Sequence, residues 1–472
     1  MALLIGSAPA AAVIHEYTIS VDESLERLHV EARFSRPVKR ISARSSDADE
    51  YLLEVRDCDK NQPIENRGRR MLLPSDGIGC LEYSVDLKRA AGEHRYSHLL
   101  ARDNIIVSPS YWMWRPEVRD DTTIRIEFQL PENISVSVPW RKLGPDSNRY
   151  ELSGSPESSH APVVFGAFDY RELDVPGATL RVALVRSVNG MDNESIVQWI
   201  NATAMDVSLA YGRFPNPSPQ VVVIPVGGNR RNTRSAVPFG RVIRDGGETV
   251  ELQVDQSQPL EKLLGDWTAT HEFSHLMLPY VDRRHRWISE GFAQYYQNVL
   301  LTRSGAYDPL YAWQKIYDGY GRGARSRPDL SPNGAASDRV RSGLMKIYWS
   351  GAAIALLADV QLRERSGGKE SLDDVLSRFQ ACCLPSDRIW AGPELFARFD
   401  EIVGSPVFTP LYRQYADTVG FPDTSDVLAR LGLAVSDGKI EIRADAELHA
   451  IRDAILKKDA TTARWREALS SY

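Results

Sequence analysis

THEFSHLMLPYVDRRHRWISEGFAQYY, residues 270–296, decides the architecture. Its core is His271-Glu272-Phe273-Ser274-His275. On a helix, side chains at i and i+4 project from the same face, so two imidazoles can hold one metal ion without any loop having to order. Glu272 lies between them and faces the open side of such an ion, where it can take a proton from a bound water. A catalytic zinc normally has three protein ligands and keeps its fourth place for water or substrate. Glu290 is the candidate third ligand, because Pro279 ends the first helix and a short connection returns the chain as a second, antiparallel helix. His285 competes for that place from an arginine-rich turn. The expected set is therefore one Zn2+ ion on His271, His275 and Glu290, with Glu272 as general base. Two imidazoles and a carboxylate suit zinc better than other divalent ions.

Working outward, the residues upstream supply a strand-and-helix unit. MDNESIVQWINATAMDVSLAYGRF (191–214) has helical apolar spacing, with Asp192 and Asn193 as N-cap candidates. QVVVIPV (220–226) reads as a buried strand, VIRDGG (242–247) and TVELQVD (249–255) as a hairpin or edge strands. LEKLLGDWTATHEFSHLML (260–278) is expected to form one long helix, and WISEGFAQYYQNVLLTR (287–303) a second. Further upstream, YTISVD, LHVEARF, TIRIEFQL, ISVSVP and TLRVALV alternate as half-buried strands do, which predicts a β-sandwich-like domain over 16–186. The aromatics of PSYWMWRP (109–116) fit its core better than a groove. After residue 340 the pattern is almost wholly helical, ending in a strand-like KIEIRAD and a last helix.

Bulk properties narrow the function. A chain of 472 residues is too long for one core. Its net charge of -6 argues against nucleic-acid binding, and the short cluster Arg67, Arg69, Arg70 reads as a solvated loop. No segment reaches the roughly 20 apolar residues that a membrane span needs. ALLIGSAPAAAV (2–13) resembles the back half of a signal peptide, which favours a periplasmic or secreted protein over a cytoplasmic one. Cys58 and Cys80 can pair in an oxidising compartment; Cys382 and Cys383 are adjacent, and no C-x-x-C pair exists for a structural zinc site.

His-Glu-x-x-His followed by W-x-x-E-G-F-A resembles the gluzincin zinc metallopeptidases. Tyr348-Trp349-Ser350-Gly351 matches their Y-x-x-G form, and the resemblance puts on Tyr348 the role of oxyanion donor. Among gluzincins the chain is most similar to the glycyl aminopeptidase family (peptidase family M-sixty-one), through YTISVD, APVVFGAFD (161–169), LLADVQLRERSGGKESLDDVLSRF (356–379) and GPELFARFDEIVGSPVFTPLYRQY (392–415). The resemblance implies an α+β multidomain fold. After a signal remnant or tail (1–15), the alternating pattern puts the β-sandwich-like domain at 16–186. A thermolysin-like catalytic domain, a small sheet plus helices, follows at 187–350, and a C-terminal helical region at 351–472.

Three departures stand out. The connection between His275 and Glu290 is shorter than the family's. The residues left at the C-terminus are too few for its PDZ domain. The family's G-x-x-E amine anchor is missing from PFGRVIRDGGETVELQVD (238–255), which offers Glu248 and Glu251 but also Arg241 and Arg244; those arginines would repel an ammonium and suit a carboxylate. The expected function is an aminopeptidase-like zinc peptidase acting on peptides or proteins. The alternatives are an endopeptidase or other amide hydrolase with the same chemistry, and a non-catalytic zinc-fold binding protein.

Overall fold

The computed structural model describes residues 13–92, 98–100, 104–116, 122–144, 147–153, 160–186, 192–226, 235–244, 246–338 and 341–458. The signal-like stretch, save Val13, lies outside them.

The alternating strands build a sandwich. In Val13–Val21 the side chains of Tyr17, Ile19 and Val21 turn inward while Thr18 and Ser20 stay at the surface, as a period of two requires. This strand pairs antiparallel with Arg27–Val38 and parallel with Thr122–Gln129 inside an eight-stranded sheet. A four-stranded sheet that includes Asn104–Val107 and Val163–Gly166 covers it. Trp112 and Trp114 of the aromatic run are fully buried in the shared core, where Tyr17 donates to the Trp114 carbonyl at 3.1 Å. Cys58 and Cys80 are disulfide-bonded, with Cα atoms 5.3 Å apart, and Cys382 is paired with Cys383. Arg67, Arg69 and Arg70 are exposed.

The expected domain limits need two corrections. Strands Asp169–Val175 and Ala178–Leu184, placed in the N-terminal domain by the expected limit at 186, belong to the next sheet. That sheet runs Asp169–Val175, Ala178–Leu184, Gln220–Val226, Thr249–Asp255, Phe239–Ile243, with its inner three strands parallel. Ala178–Leu184 is buried from Leu180 on because both its faces are covered: Leu180, Val182 and Leu184 face the helical core, and Ala183 faces Ile106 and Val164 of the sandwich. The second boundary, at 350, cuts through a single helix, Leu344–Ser366. One continuous core joins the sheet to every helix down to His449–Ile455, so the C-terminal helices are not a separate unit.

The long helix expected over 260–278 is also broken. It forms as Leu260–Leu264 and Thr268–His275. Gly265 caps the first piece, and the Asp266 carboxylate accepts from the Thr268 amide at 2.8 Å and the Val237 amide at 3.2 Å, pulling the chain off the helical path. The second expected helix is present as Arg286–Arg303, and Asp192 caps the crossover helix Asn193–Ser208. Among the described residues Phe239–Ile243 is an edge strand of the sheet and runs antiparallel to Thr249–Asp255. Among the described residues no helix is long and apolar enough to cross a membrane.

Candidate active site

Three elements meet: the motif helix (Thr268–His275), the glutamate helix (Arg286–Arg303) and the tyrosine helix (Leu344–Ser366). Nε2 of His271 and Nε2 of His275 lie 3.4 and 3.3 Å from the same oxygen, Oε2 of Glu290. Zinc bonds of about 2.0–2.1 Å at a tetrahedral centre require donors about 3.3–3.4 Å apart, and Oε2 of Glu290 stands at that spacing from each Nε2. Among the described residues this is the one trio of potential ligands, its donor atoms all within 4.8 Å of one another.

The other ring nitrogens fix the donors' direction. Nδ1 of His271 lies 3.0 Å from the Gln297 amide oxygen, and Nδ1 of His275 lies 2.9 Å from the Ser289 hydroxyl. An Nδ1–H given to each leaves both Nε2 lone pairs aimed at the shared centre. Burial keeps His275 toward its neutral form. For Glu290, burial alone would favour the neutral acid, but His275 and His271 outweigh it and hold the carboxyl well below its usual range. Ser289 and Gln297 were not found from the sequence. Gln297 was reachable, being two turns beyond Glu290 on the same helical face.

Glu272 is buried beside this trio, and desolvation pushes its carboxyl up to about 7. A base in that range works near neutral pH. The edge strand leaves it room: a Cβ built on Gly240 would come within 2.6 Å of Glu272 Cγ and 3.1 Å of Oε1. The Tyr348 ring lies 5.7 Å from that of His271. Burial, then the charges of Glu290 and Glu272, raise the phenol far above its usual pKa, so it remains a proton donor.

The helices bearing Glu290 and Tyr348 cross in backbone contact. A Cβ on Gly291 would fall 2.2 Å from the Gly351 Cα, and one on Gly351 would fall 1.9 Å from the Trp287 carbonyl oxygen. The glycines of E-G-F-A and Y-x-x-G are thus one contact seen from two sides.

No family model and no curated protein matches the chain. Solved structures do. An aminopeptidase N family protein from Idiomarina loihiensis is 14% identical, with 93% of this chain and 77% of that one covered at a TM-score of 0.59. An M1 zinc metallopeptidase from Deinococcus radiodurans is 12% identical over 87% of this chain and 94% of that one, at a TM-score of 0.50. A two-domain M1 zinc metallopeptidase variant bound to L-tryptophan is 13% identical over 87% and 95%, at a TM-score of 0.52.

The chain has the fold of the M1 zinc metallopeptidases.

Within this M1 fold the remaining candidates separate. His285 is no ligand: its ring is held by Asp282 at 2.8 Å and by the Tyr412 hydroxyl at 2.7 Å. Arg241 and Arg244, read as possible carboxylate binders, are occupied within the chain. Arg241 pairs with the fully buried Glu251 at 2.6 Å. Arg244 donates to the Pro279 carbonyl at 2.6 Å and to that of His275, gripping the end of the motif helix. Glu248 is bonded by the Asn216 amide, and burial raises its pKa. The residue three beyond Gly240, where a G-x-x-E string would put its glutamate, is Ile243.

Proposed function

We propose that the chain is a zinc-dependent peptidase. The observation that carries this reading is the donor spacing: two Nε2 atoms at 3.4 and 3.3 Å from one carboxylate oxygen, each imidazole braced through Nδ1. The donor set fits one Zn2+ ion on His271, His275 and Glu290, which when bound polarises a carbonyl and brings water toward ionisation near pH 7. Glu272 accepts a proton from the attacking water and passes it to the leaving amine. Tyr348 donates a hydrogen bond to the oxyanion that develops on the carbonyl; such a donor in a dry cleft is worth several kcal/mol. The edge strand Phe239–Ile243, last in its sheet among the described residues, is where an extended peptide would add, in the way peptides add to sheet edges. Gly240 keeps the strand close to Glu272 without a side chain between.

The substrate is a peptide, and the L-tryptophan bound by one structural neighbour favours aminopeptidase-like action. A second reading, hydrolysis of N-blocked peptides, has its own support. Glu248 and Glu251 are both tied up internally and Ile243 stands at the anchor position, so no described carboxylate on this hairpin is open to a free amine. The two disulfides favour an exported protein. Glu272→Gln is the decisive test. Hydrolysis should vanish while metal analysis still finds one zinc per chain; a fully active variant would end this mechanism. Free-amine and N-acetylated peptides assayed in parallel separate the two substrate readings.

A further inference from the structure

Arg286 opens the glutamate helix one turn before Glu290, so the two side chains share a face, and Glu290 on that face points into the site. The same turn is pressed against the tyrosine helix, the Trp287 carbonyl touching Gly351 one turn past Tyr348. Unlike Arg241 and Arg244, Arg286 is unengaged. Its Nε is buried without a hydrogen-bond partner, and no described carboxylate lies within ion-pair distance. The side chain is half-buried. Its charge reaches the Tyr348 phenol, where it opposes the upward push of burial, Glu290 and Glu272. A partly desolvated guanidinium without a counter-charge is a standing recognition element for a planar anion.

We propose that Arg286 is a specificity-determining residue that binds a substrate carboxylate carried within one residue of the scissile bond. This rests on the peptidase reading above and narrows it to acidic substrates. The carboxylate has two possible sources, an Asp or Glu side chain or the free C-terminus of a short peptide, and both present the same group to the same fork. One charge-assisted contact of this kind is worth about ten- to hundred-fold in recognition.

The test uses the zinc-loaded full chain and matched peptide pairs: Glu against Gln and Asp against Asn on either side of the bond, and free acid against C-terminal amide. kcat/KM should favour the carboxylate member of at least one pair by about ten- to hundred-fold. Arg286→Gln should collapse that ratio toward one, and Arg286→Lys should keep part of it, with thermal melts checking that both variants fold. Preference confined to the acid–amide pair assigns the free C-terminus; preference in the Glu–Gln or Asp–Asn pairs assigns a side chain. Calorimetry of the same pairs on Glu272→Gln reads binding without turnover. Ratios near one in every pair, in turnover and in binding, overturn the proposal, as does Arg286→Gln weakening both members of a pair equally. Selective carboxylate binding without any hydrolysis would instead sink the peptidase reading and leave the Arg286 assignment standing.

Discussion

At the scale of the residue, the site divides into groups that act and groups that aim. On the proposed mechanism Tyr348 is of the first kind. Tyr348→Phe removes one hydroxyl and little packing, so turnover should fall about 10²–10³-fold with the melting temperature nearly unchanged. An unaltered kcat would take Tyr348 off the reaction path. Gln297 and Ser289 are of the second kind. Gln297→Leu should weaken zinc binding about 10–100-fold, measured by competition with a chromogenic chelator, because His271 loses the partner that fixes its ring and tautomer. Equal zinc affinity would show that helix geometry alone orients the histidine. Sequence reading singled out His271, Glu272, His275, Glu290 and Tyr348, which the fold brings together, because each sits in a spaced motif. It missed Ser289, Gln297 and Gly240 because a hydroxyl, an amide and an absent side chain acquire meaning only from what stands opposite. It misread Arg241 and Arg244 for the same reason: one answers a buried glutamate, the other the end of a helix.

At the scale of the element, the decisive object is the crossing of the glutamate and tyrosine helices. Their glycines allow backbone contact, and that contact sets how far Tyr348 stands from the ligands. Gly291→Ala should therefore do two things. It should cost about 1–3 kcal/mol of stability through overpacking, read as a lower denaturation midpoint. It should also depress kcat more than zinc content, since the helix axes must part. A variant as stable and active as the parent would mean that the helices slide without penalty. Behind this crossing a buried network ties the same two helices together: Tyr295 donates to Asp359 at 2.7 Å and Arg363 meets Asp359 at 2.9 Å. The presence of both helices was legible from apolar spacing. The break at 265–267 was not, because Gly265-Asp266-Trp267 keeps the helical apolar rhythm, and only the distant Val237 amide shows why Asp266 leaves it.

At the scale of the whole molecule, the order β sandwich, mixed sheet, helices was legible from texture, while its boundaries were not. Strand Ala178–Leu184 looks like a sandwich strand because alternation records burial and does not say which neighbour provides it. Its buried Arg181 joins the two β layers, donating to the carbonyls of Val138 at 3.0 Å, Trp140 at 2.8 Å and Ser218 at 2.9 Å. Because one core runs from the mixed sheet to residue 456, a chain ended at residue 350 should fail to fold. A soluble, cooperatively melting product of that truncation would restore the boundary expected from sequence.

Arg286, Ser289, Glu290, Gly291 and Gln297 all lie on one stretch of a single helix. Each added residue turns an α-helix by about 100°. An insertion anywhere between them would therefore swing one subset off the histidines while leaving the rest in place. Loops elsewhere in the chain can lengthen freely, but this stretch can change only by substitution. A lineage can exchange most of its residues and keep the site, provided it never loses count along these few turns.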